Sequence, residues 1–130
     1  MHRIASALLL ALSANSYGID WATSDSLDQL SRICHSPENA VENCSAKISE
    51  RANAEIARRV TSLRGRLLKA SPSDAEAFQK SQSAWVFYRD SHCALESRYA
   101  TDGDGIDPRC LETLNIERVY RLRRLDDATP

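Results

Sequence analysis

The sequence has few aromatic residues and no β-strand pattern. Aromatic residues make up 6% of its 130 residues, and three of them lie in the short segment from Trp85 to Tyr88. No stretch alternates apolar and polar residues over a strand length, and we find no internal repeat and no low-complexity segment. These absences argue against sheet and repeat folds and leave an all-helical domain as the expectation.

Positive and negative charges are nearly balanced in the sequence. The chain has 17 Lys and Arg against 18 Asp and Glu, for a net charge of −1 at pH 7. A near-neutral balance gives no general attraction to nucleic acid or to an anionic membrane surface. Beyond the N-terminal leader, no segment is apolar enough to span a bilayer. We therefore expect no nucleic-acid partner and no stable membrane insertion.

The common catalytic patterns are missing. There is no serine-nucleophile elbow, no phosphate-binding loop and no H-E-x-x-H motif, and no carboxylate pair is marked out as a glycosidase dyad. His92 and Cys93 are adjacent, and neighbouring helical residues point about 100° apart, so they cannot easily share a proton. The sequence predicts a protein that is not an enzyme, with no catalytic residue and no cofactor.

The segment from Asp102 to Asp107 resembles the first half of a calcium-binding loop. A complete loop places a bidentate glutamate at its twelfth position, and here that position is Thr113. We therefore predict no metal site, with weak calcium binding by a partial loop as the alternative. The other interpretation is a polar turn between two helices, in which glycines supply the unusual backbone angles.

The N-terminus has the pattern of a secretory signal peptide. Arg3 precedes an apolar core from Ile4 to Ala14, and small residues follow up to Gly18. The core is about half the length of a membrane-spanning helix. We predict a signal peptide over residues 1–18 and a domain over 19–130, in the periplasm or secreted. The alternative is a buried N-terminal helix.

Four cysteines remain in the exported domain, which indicates two disulfides and no free thiol. Their spacings include no C-x-x-C, and a zinc site built on Cys34-His35 and His92-Cys93 is the rival interpretation. Antiparallel packing of the first two helices favours Cys34–Cys93 and Cys44–Cys110 as the pairing. Two local bridges, Cys34–Cys44 and Cys93–Cys110, are the close second choice.

Three prolines mark three predicted helix starts. Pro37, Pro72 and Pro108 each follow Ser or Asp, and a capping residue followed by proline is typical of a helix N-terminus. The predicted helices run over about 37–69, 72–99 and 108–125. Residues 24–34 are compatible with a short extra helix or with disorder. The expected fold is a small disulfide-linked bundle of three main helices.

Apolar residues at helical spacing predict which side of each helix is buried. Steps of three and four residues define the stripes of the first and third helices. These residues are Val41, Cys44, Ile48, Ala52, Ile56, Val60, Leu63 and Leu67 in the first helix, and Leu111, Leu114, Val119, Leu122 and Leu125 in the third. The second helix is apolar on more than one side, which predicts a central helix with Trp85 in the core. The arginines at 118, 121, 123 and 124 are interpreted as a solvated face, with nucleic-acid binding as the alternative.

The segment from Gln82 to Cys93 resembles a known family. Its residues Gln82, Trp85, Tyr88, Arg89, Asp90 and Cys93 match the Q-x-A-W-x-x-Y-R-D-x-x-C signature of the LprI-like lysozyme-inhibitor domain. The early pair Cys34 and Cys44 matches the opening of that domain, and Cys110, Arg118 and Leu122 match its closing helix. The resemblance implies an exported helical domain with disulfides, some of whose members are described as lysozyme inhibitors.

Binding is therefore the expected function. The leading hypothesis is inhibition of lysozyme or a similar cationic hydrolase, with Asp102, Asp104 and Asp107 on a glycine-bearing loop as the partner-binding residues. The alternatives are an envelope protein of structural or stress-related type that binds another envelope protein, and a small-ligand or calcium module. The sequence does not indicate an oligomeric state.

Overall fold

Four helices form the domain. A computed structural model describes residues 26–38, 42–101 and 103–130, and the predicted signal peptide lies outside these ranges. In chain order the helices are α1 (Leu27–His35), α2 (Cys44–Ala70), α3 (Pro72–Ala100) and α4 (Pro108–Ala128). The described ranges contain no strand. The predicted all-α fold is confirmed, and the short N-terminal helix is present.

The core forms around α2, which contacts the other three helices and packs most extensively against α4. Ile48, Ala52 and Leu63 of α2 are fully buried, together with Leu27 of α1 and Val119 of α4. The expectation that the second predicted helix is central is therefore wrong. Helix α3 buries one face only, and its other apolar residues face solvent.

Two of the three proline-marked helix starts are confirmed. Ser71 Oγ accepts a hydrogen bond from the Asp74 N–H at 3.3 Å, which caps the start of α3. Asp107 Oδ1 accepts one from the Arg109 N–H at 3.0 Å and caps α4. In both helices proline occupies the first turn, where its missing N–H removes no helical hydrogen bond.

The prediction that a helix begins at Pro37 is wrong. Pro37 lies in the turn after α1, and α2 begins at Cys44 behind Asn43, whose φ of 56° is left-handed. The reason is the disulfide between Cys34 and Cys44, which holds their Cα atoms 5.6 Å apart. Ten residues of helix would separate these atoms by about 15 Å, so the intervening chain must reverse direction.

The favoured prediction of the cysteine pairing is wrong. Cys34 is bonded to Cys44, and Cys93 is bonded to Cys110. The second bridge forms because the connection after α3 folds back along the last turns of that helix. The Asp107 N–H donates to the Cys93 carbonyl at 3.1 Å, and this contact places the start of α4 beside Cys93.

Helix α4 is rotated relative to the predicted stripe. The residues it buries are Cys110, Glu112, Asn115, Ile116, Val119 and Leu122. Leu111 and Leu114 are only half-buried, and Leu125 is exposed. The bridge at Cys110 fixes which side of α4 faces α3, and the buried residues of α4 include two polar ones, Glu112 and Asn115.

The arginines of α4 mostly bond within the chain. Arg123 Nε donates to Glu55 Oε1 at 2.8 Å, and Arg59 Nε donates to the same oxygen at 3.1 Å. Arg121 pairs with Glu117 one turn away. Burial would raise the pKa of Glu55, but the hydrogen bonds and charges of Arg123 and Arg59 outweigh it and lower that pKa below its usual value. The interpretation of a solvated face therefore holds for the exposed Arg121 and Arg124, whereas Arg118 and Arg123 are half-buried and bonded to other helices.

Candidate binding site and its polar supports

Two guanidinium groups contact the Trp85 ring. The Cζ atoms of Arg89 and Arg118 lie 5.0 and 5.3 Å from the ring centroid, within the range of cation–π contact. Arg118 also donates twice to Gln82 Oε1, from Nε at 3.1 Å and from Nη2 at 2.7 Å. Burial, and then repulsion from Arg121, lower the pKa of Arg118. These contacts fasten α3 to α4.

Arg89 extends this network to α2. Its Nη1 donates to Asn115 Oδ1 at 3.1 Å and to Asn53 Oδ1 at 3.4 Å, and its Nε pairs with Asp90 at 2.8 Å. Asn115 is completely buried. A single guanidinium therefore joins three helices. Sequence reasoning missed Asn115, and the only signal was a polar residue one turn after Leu111 and two turns before Leu122.

The signature residues divide into two groups. Gln82, Trp85, Arg89 and Asp90 belong to the network, and Trp85 is partly buried against the core rather than enclosed in it. Tyr88 points away: it is half-exposed and stacks on His92 with a centroid distance of 5.4 Å. The signature thus serves mainly to hold α3 in place.

A second polar centre surrounds Glu112. This carboxylate is 2% exposed, yet it accepts hydrogen bonds from Ser31 Oγ (2.5 Å), His35 Nε2 (2.8 Å) and Ser45 Oγ (2.9 Å). Burial alone would raise the pKa of Glu112, but these three hydrogen bonds and the nearby imidazole lower it. Glu112 therefore ties α1 and the start of α2 to α4. Nothing in the sequence singled it out.

Each disulfide lies beside a histidine and a carboxylate. Potential ligand atoms of His35, Cys44 and Glu112 are within 4.8 Å of one another, and so are those of His92, Glu96 and Cys110. Zinc sites of this kind require a thiolate. In the disulfide-bonded protein neither sulfur is a thiolate, so the geometry gives no support to the rival zinc interpretation.

The acidic loop between α3 and α4 is held at both ends. The Gly103 N–H donates to the Ser97 carbonyl at 2.8 Å, and the Cys93–Cys110 bridge joins the flanking helices. Gly105 has φ of +82°, a conformation that favours glycine. Asp104 is exposed, whereas Asp107 is partly buried and caps α4. Asp102 lies outside the described residues.

A small groove adjoins this loop. It has a volume of about 180 Å³, lies between the end of α3 and the start of α4, and is lined by His92, Glu96, Asp107, Arg109, Cys110, Thr113 and Leu114. His92 Nε2 and Glu96 Oε1 are 2.9 Å apart along one edge. The loop and the groove together form a polar surface beside the Cys93–Cys110 bridge, in which three carboxylates, those of Glu96, Asp104 and Asp107, lie near Arg109 and His92.

These features define a small disulfide-linked helical bundle with a polar groove beside its second disulfide. Comparison with known proteins gives a more specific result: the model of the family described as lysozyme inhibitor LprI matches residues 34–122. That segment is well over half of the chain, so the protein belongs to this family, and the resemblance expected from the signature is confirmed. No curated protein and no solved structure matches. No helix in the described ranges has the length and apolarity to cross a bilayer.

Proposed function

We propose that the protein is an exported inhibitor of lysozyme or of a similar cationic hydrolase, and that it acts by binding rather than by catalysis. Membership of the lysozyme inhibitor LprI family is the observation that carries this proposal. The signal-like leader and two disulfides support the periplasm or the extracellular space as the location.

The acidic loop and its groove are the proposed contact surface. Exposed Asp104 and the groove carboxylates Glu96 and Asp107 would attract a positively charged enzyme and speed its encounter with the protein. The loop is fixed by the Cys93–Cys110 bridge and by its hydrogen bonds to Ser97 and Cys93. The loop therefore loses little conformational freedom on binding, which favours affinity.

The test is a lytic assay in which the purified, disulfide-bonded protein is titrated against a fixed amount of lysozyme. We expect inhibition that weakens as salt is added, because exposed charges are screened. Asp102→Asn combined with Asp104→Asn should weaken inhibition at least tenfold and remove part of its salt dependence, with the melting temperature unchanged.

A matched control removes two exposed carboxylates elsewhere, by Glu50→Gln combined with Asp127→Asn. This control has the same net charge as the loop variant and should inhibit like the parent protein. Equal inhibition by all three proteins would place the contact surface outside the loop. Absence of inhibition by the parent protein would reject the proposed function.

The second candidate is an envelope structural or stress-related protein that binds another envelope protein. The exposed apolar side of α3 favours it, since that surface contains Phe87 and Tyr99, which are more than three-quarters exposed. An absence of lysozyme inhibition together with saturable binding to a purified envelope protein would support this candidate.

A further inference from the structure

His92 and Glu96 form an accessible pair of nitrogen and oxygen ligands on α3. They are four residues apart, so their side chains lie on the same side of the helix, one turn from each other. The His92 Nε2 atom is 2.9 Å from the Glu96 Oε1 atom, and each side chain is 42% exposed. An exposed pair of this kind contributes little to stability, so the fold does not depend on it.

The spacing of the two ligand atoms matches that required by a single metal ion. Zn²⁺, whose radius is close to that of Cu²⁺, binds imidazole nitrogen at about 2.0–2.1 Å and carboxylate oxygen at about 2.0–2.2 Å. Two such bonds place the nitrogen and the oxygen about 2.9 Å apart at a right angle, and about 3.4 Å apart at a tetrahedral angle. The observed 2.9 Å fits the right angle, so a metal ion can replace the shared proton with little movement of either side chain.

The surrounding structure holds the pair in place. The Tyr88 ring, one turn before His92, stacks on the imidazole with a centroid distance of 5.4 Å and 23° between the ring planes. The next residue, Cys93, is bonded to Cys110, and its carbonyl accepts a hydrogen bond from the Asp107 N–H at 3.1 Å. The pair is therefore largely ordered before a metal binds, which lowers the entropic cost of binding.

The groove beside the pair suits a cation. Its volume of about 180 Å³ holds several water molecules, at about 30 Å³ each, and these can complete the coordination of an ion. Glu96 and Asp107 contribute two negative charges to its lining, and Arg109 contributes one positive charge. The Arg109 Nη1 atom is 3.9 Å from Glu112 Oε2, which offsets part of that positive charge. With a neutral imidazole the lining is thus negative.

The other histidine and carboxylate cluster has the same groups without the access. Glu112 is 2% exposed, and both of its oxygens already accept hydrogen bonds, Oε1 from Ser31 and Oε2 from Ser45. His35 Nε2 lies against the same carboxylate at 2.8 Å. A metal ion at this position would displace the two hydroxyl groups and leave them without their acceptor. Of the two clusters, the half-exposed one in the groove is therefore the candidate metal site.

The ligand set determines the class of metal. Cys110 Sγ lies within 4.8 Å of both ligand atoms but is bonded to Cys93, which leaves one imidazole nitrogen and one carboxylate oxygen as ligands. Imidazole suits the later first-row ions better than Ca²⁺ or Mg²⁺, tetragonal nitrogen and oxygen sites are typical of Cu²⁺ and Ni²⁺, and Cu²⁺ binds most tightly in this series. We propose that His92 and Glu96 bind one Cu²⁺ ion in the groove, with water in its remaining positions.

Isothermal titration calorimetry with a Cu²⁺ salt tests the proposal on the disulfide-bonded mature protein, which by the prediction above begins at Ile19 and lacks His2. All four cysteines are in disulfides, so no thiol competes for the ion. We expect one Cu²⁺ per chain. His92→Gln and Glu96→Gln should each weaken binding at least tenfold, because even the loss of a residue that only supports a ligand costs about 10–100-fold in metal affinity.

The matched control is Glu117→Gln, which removes an exposed carboxylate that pairs with Arg121 rather than with a histidine. This variant should bind Cu²⁺ like the parent protein. Electron paramagnetic resonance of the bound ion should show coupling to an imidazole nitrogen, and His92→Gln should remove that coupling. An excess of Ca²⁺ should not displace the ion, because Ca²⁺ takes oxygen ligands.

Three results would overturn the proposal. Equal affinity in the parent protein, His92→Gln and Glu96→Gln would place the ion elsewhere on the chain. Displacement of the ion by Ca²⁺ would indicate a site built from carboxylates alone, such as those of the acidic loop. A parent protein that binds no Cu²⁺ would refute the site whether or not the protein inhibits lysozyme, so this test is independent of the proposed function.

Discussion

Replacing Glu112 with glutamine should destabilise the fold strongly, although the two side chains have nearly the same shape. The parent carboxylate is almost fully buried and accepts hydrogen bonds from Ser31, His35 and Ser45. Hydrogen bonds to a charged group each contribute about 1.5–3 kcal/mol to stability. Glutamine keeps one acceptor oxygen but presents an NH₂ group to a donor, so about 3 kcal/mol should be lost.

The stability lost in Glu112→Gln should become smaller as the pH falls. The pKa of Glu112 is lowered in the folded protein, so the folded state favours the charged carboxylate. The stabilisation is fully present above the pKa of the unfolded chain and disappears as the pH falls through the folded pKa. The parent protein should therefore exceed Glu112→Gln in stability at pH 7, and the difference should shrink progressively below about pH 4.5.

Urea unfolding followed by circular dichroism, with both disulfides intact, measures this difference from pH 7 down to pH 3. The control is Glu117→Gln on the same helix, where an exposed carboxylate pairs with Arg121 and contributes at most about 0.5 kcal/mol. If Glu112→Gln matched the control, or if its deficit stayed constant across this pH range, the carboxylate would not be the charged centre that joins the helices.

Three further predictions concern the core and the covalent structure. Trp85→Ala should lower the free energy of unfolding by about 3 kcal/mol, because a partly buried aromatic ring and its two arginine contacts are removed. An unchanged melting temperature would contradict this prediction. Glu55→Gln should cost about 1–3 kcal/mol at pH 7 and progressively less as the pH falls through its lowered pKa, which unfolding curves at two pH values would show. Non-reducing peptide mapping should recover Cys34 joined to Cys44 and Cys93 joined to Cys110, and a peptide joining Cys34 to Cys93 would be incompatible with the fold.

Local signals in the sequence were sufficient to predict most of the helices. The starts at Pro72 and Pro108 follow from a capping side chain and a proline within a few residues, so they need no tertiary information. Pro37 has the same local pattern, yet it lies in a turn because the Cys34–Cys44 bridge forces the chain to reverse. The disulfide between Cys34 and Cys44 thus overrides the local preference for a helix start at Pro37.

The rotation of α4 could not be predicted in the same way. Its leucines give a plausible stripe, but Cys110 must face Cys93, and this requirement turns Glu112 and Asn115 inward. Donors on α1 and α2 satisfy Glu112, and Asn115 Oδ1 accepts from Arg89, although the Asn115 amide nitrogen has no hydrogen-bond partner among the described residues. None of these partners can be identified from spacing along α4. The pairing of the cysteines was likewise uncertain, since it depends on how the connection after α3 folds back.

The signature residues of the family therefore contribute to helix packing more than to the exposed surfaces. Arg89 and Trp85 hold α3 against α2 and α4, and that orientation decides which surfaces remain exposed. The acidic loop and the exposed apolar side of α3 are two such surfaces, and neither contributes to the network that the signature builds. Asp104 and Leu95 are exposed and lie outside that network, so we expect their replacement to leave the helical packing intact.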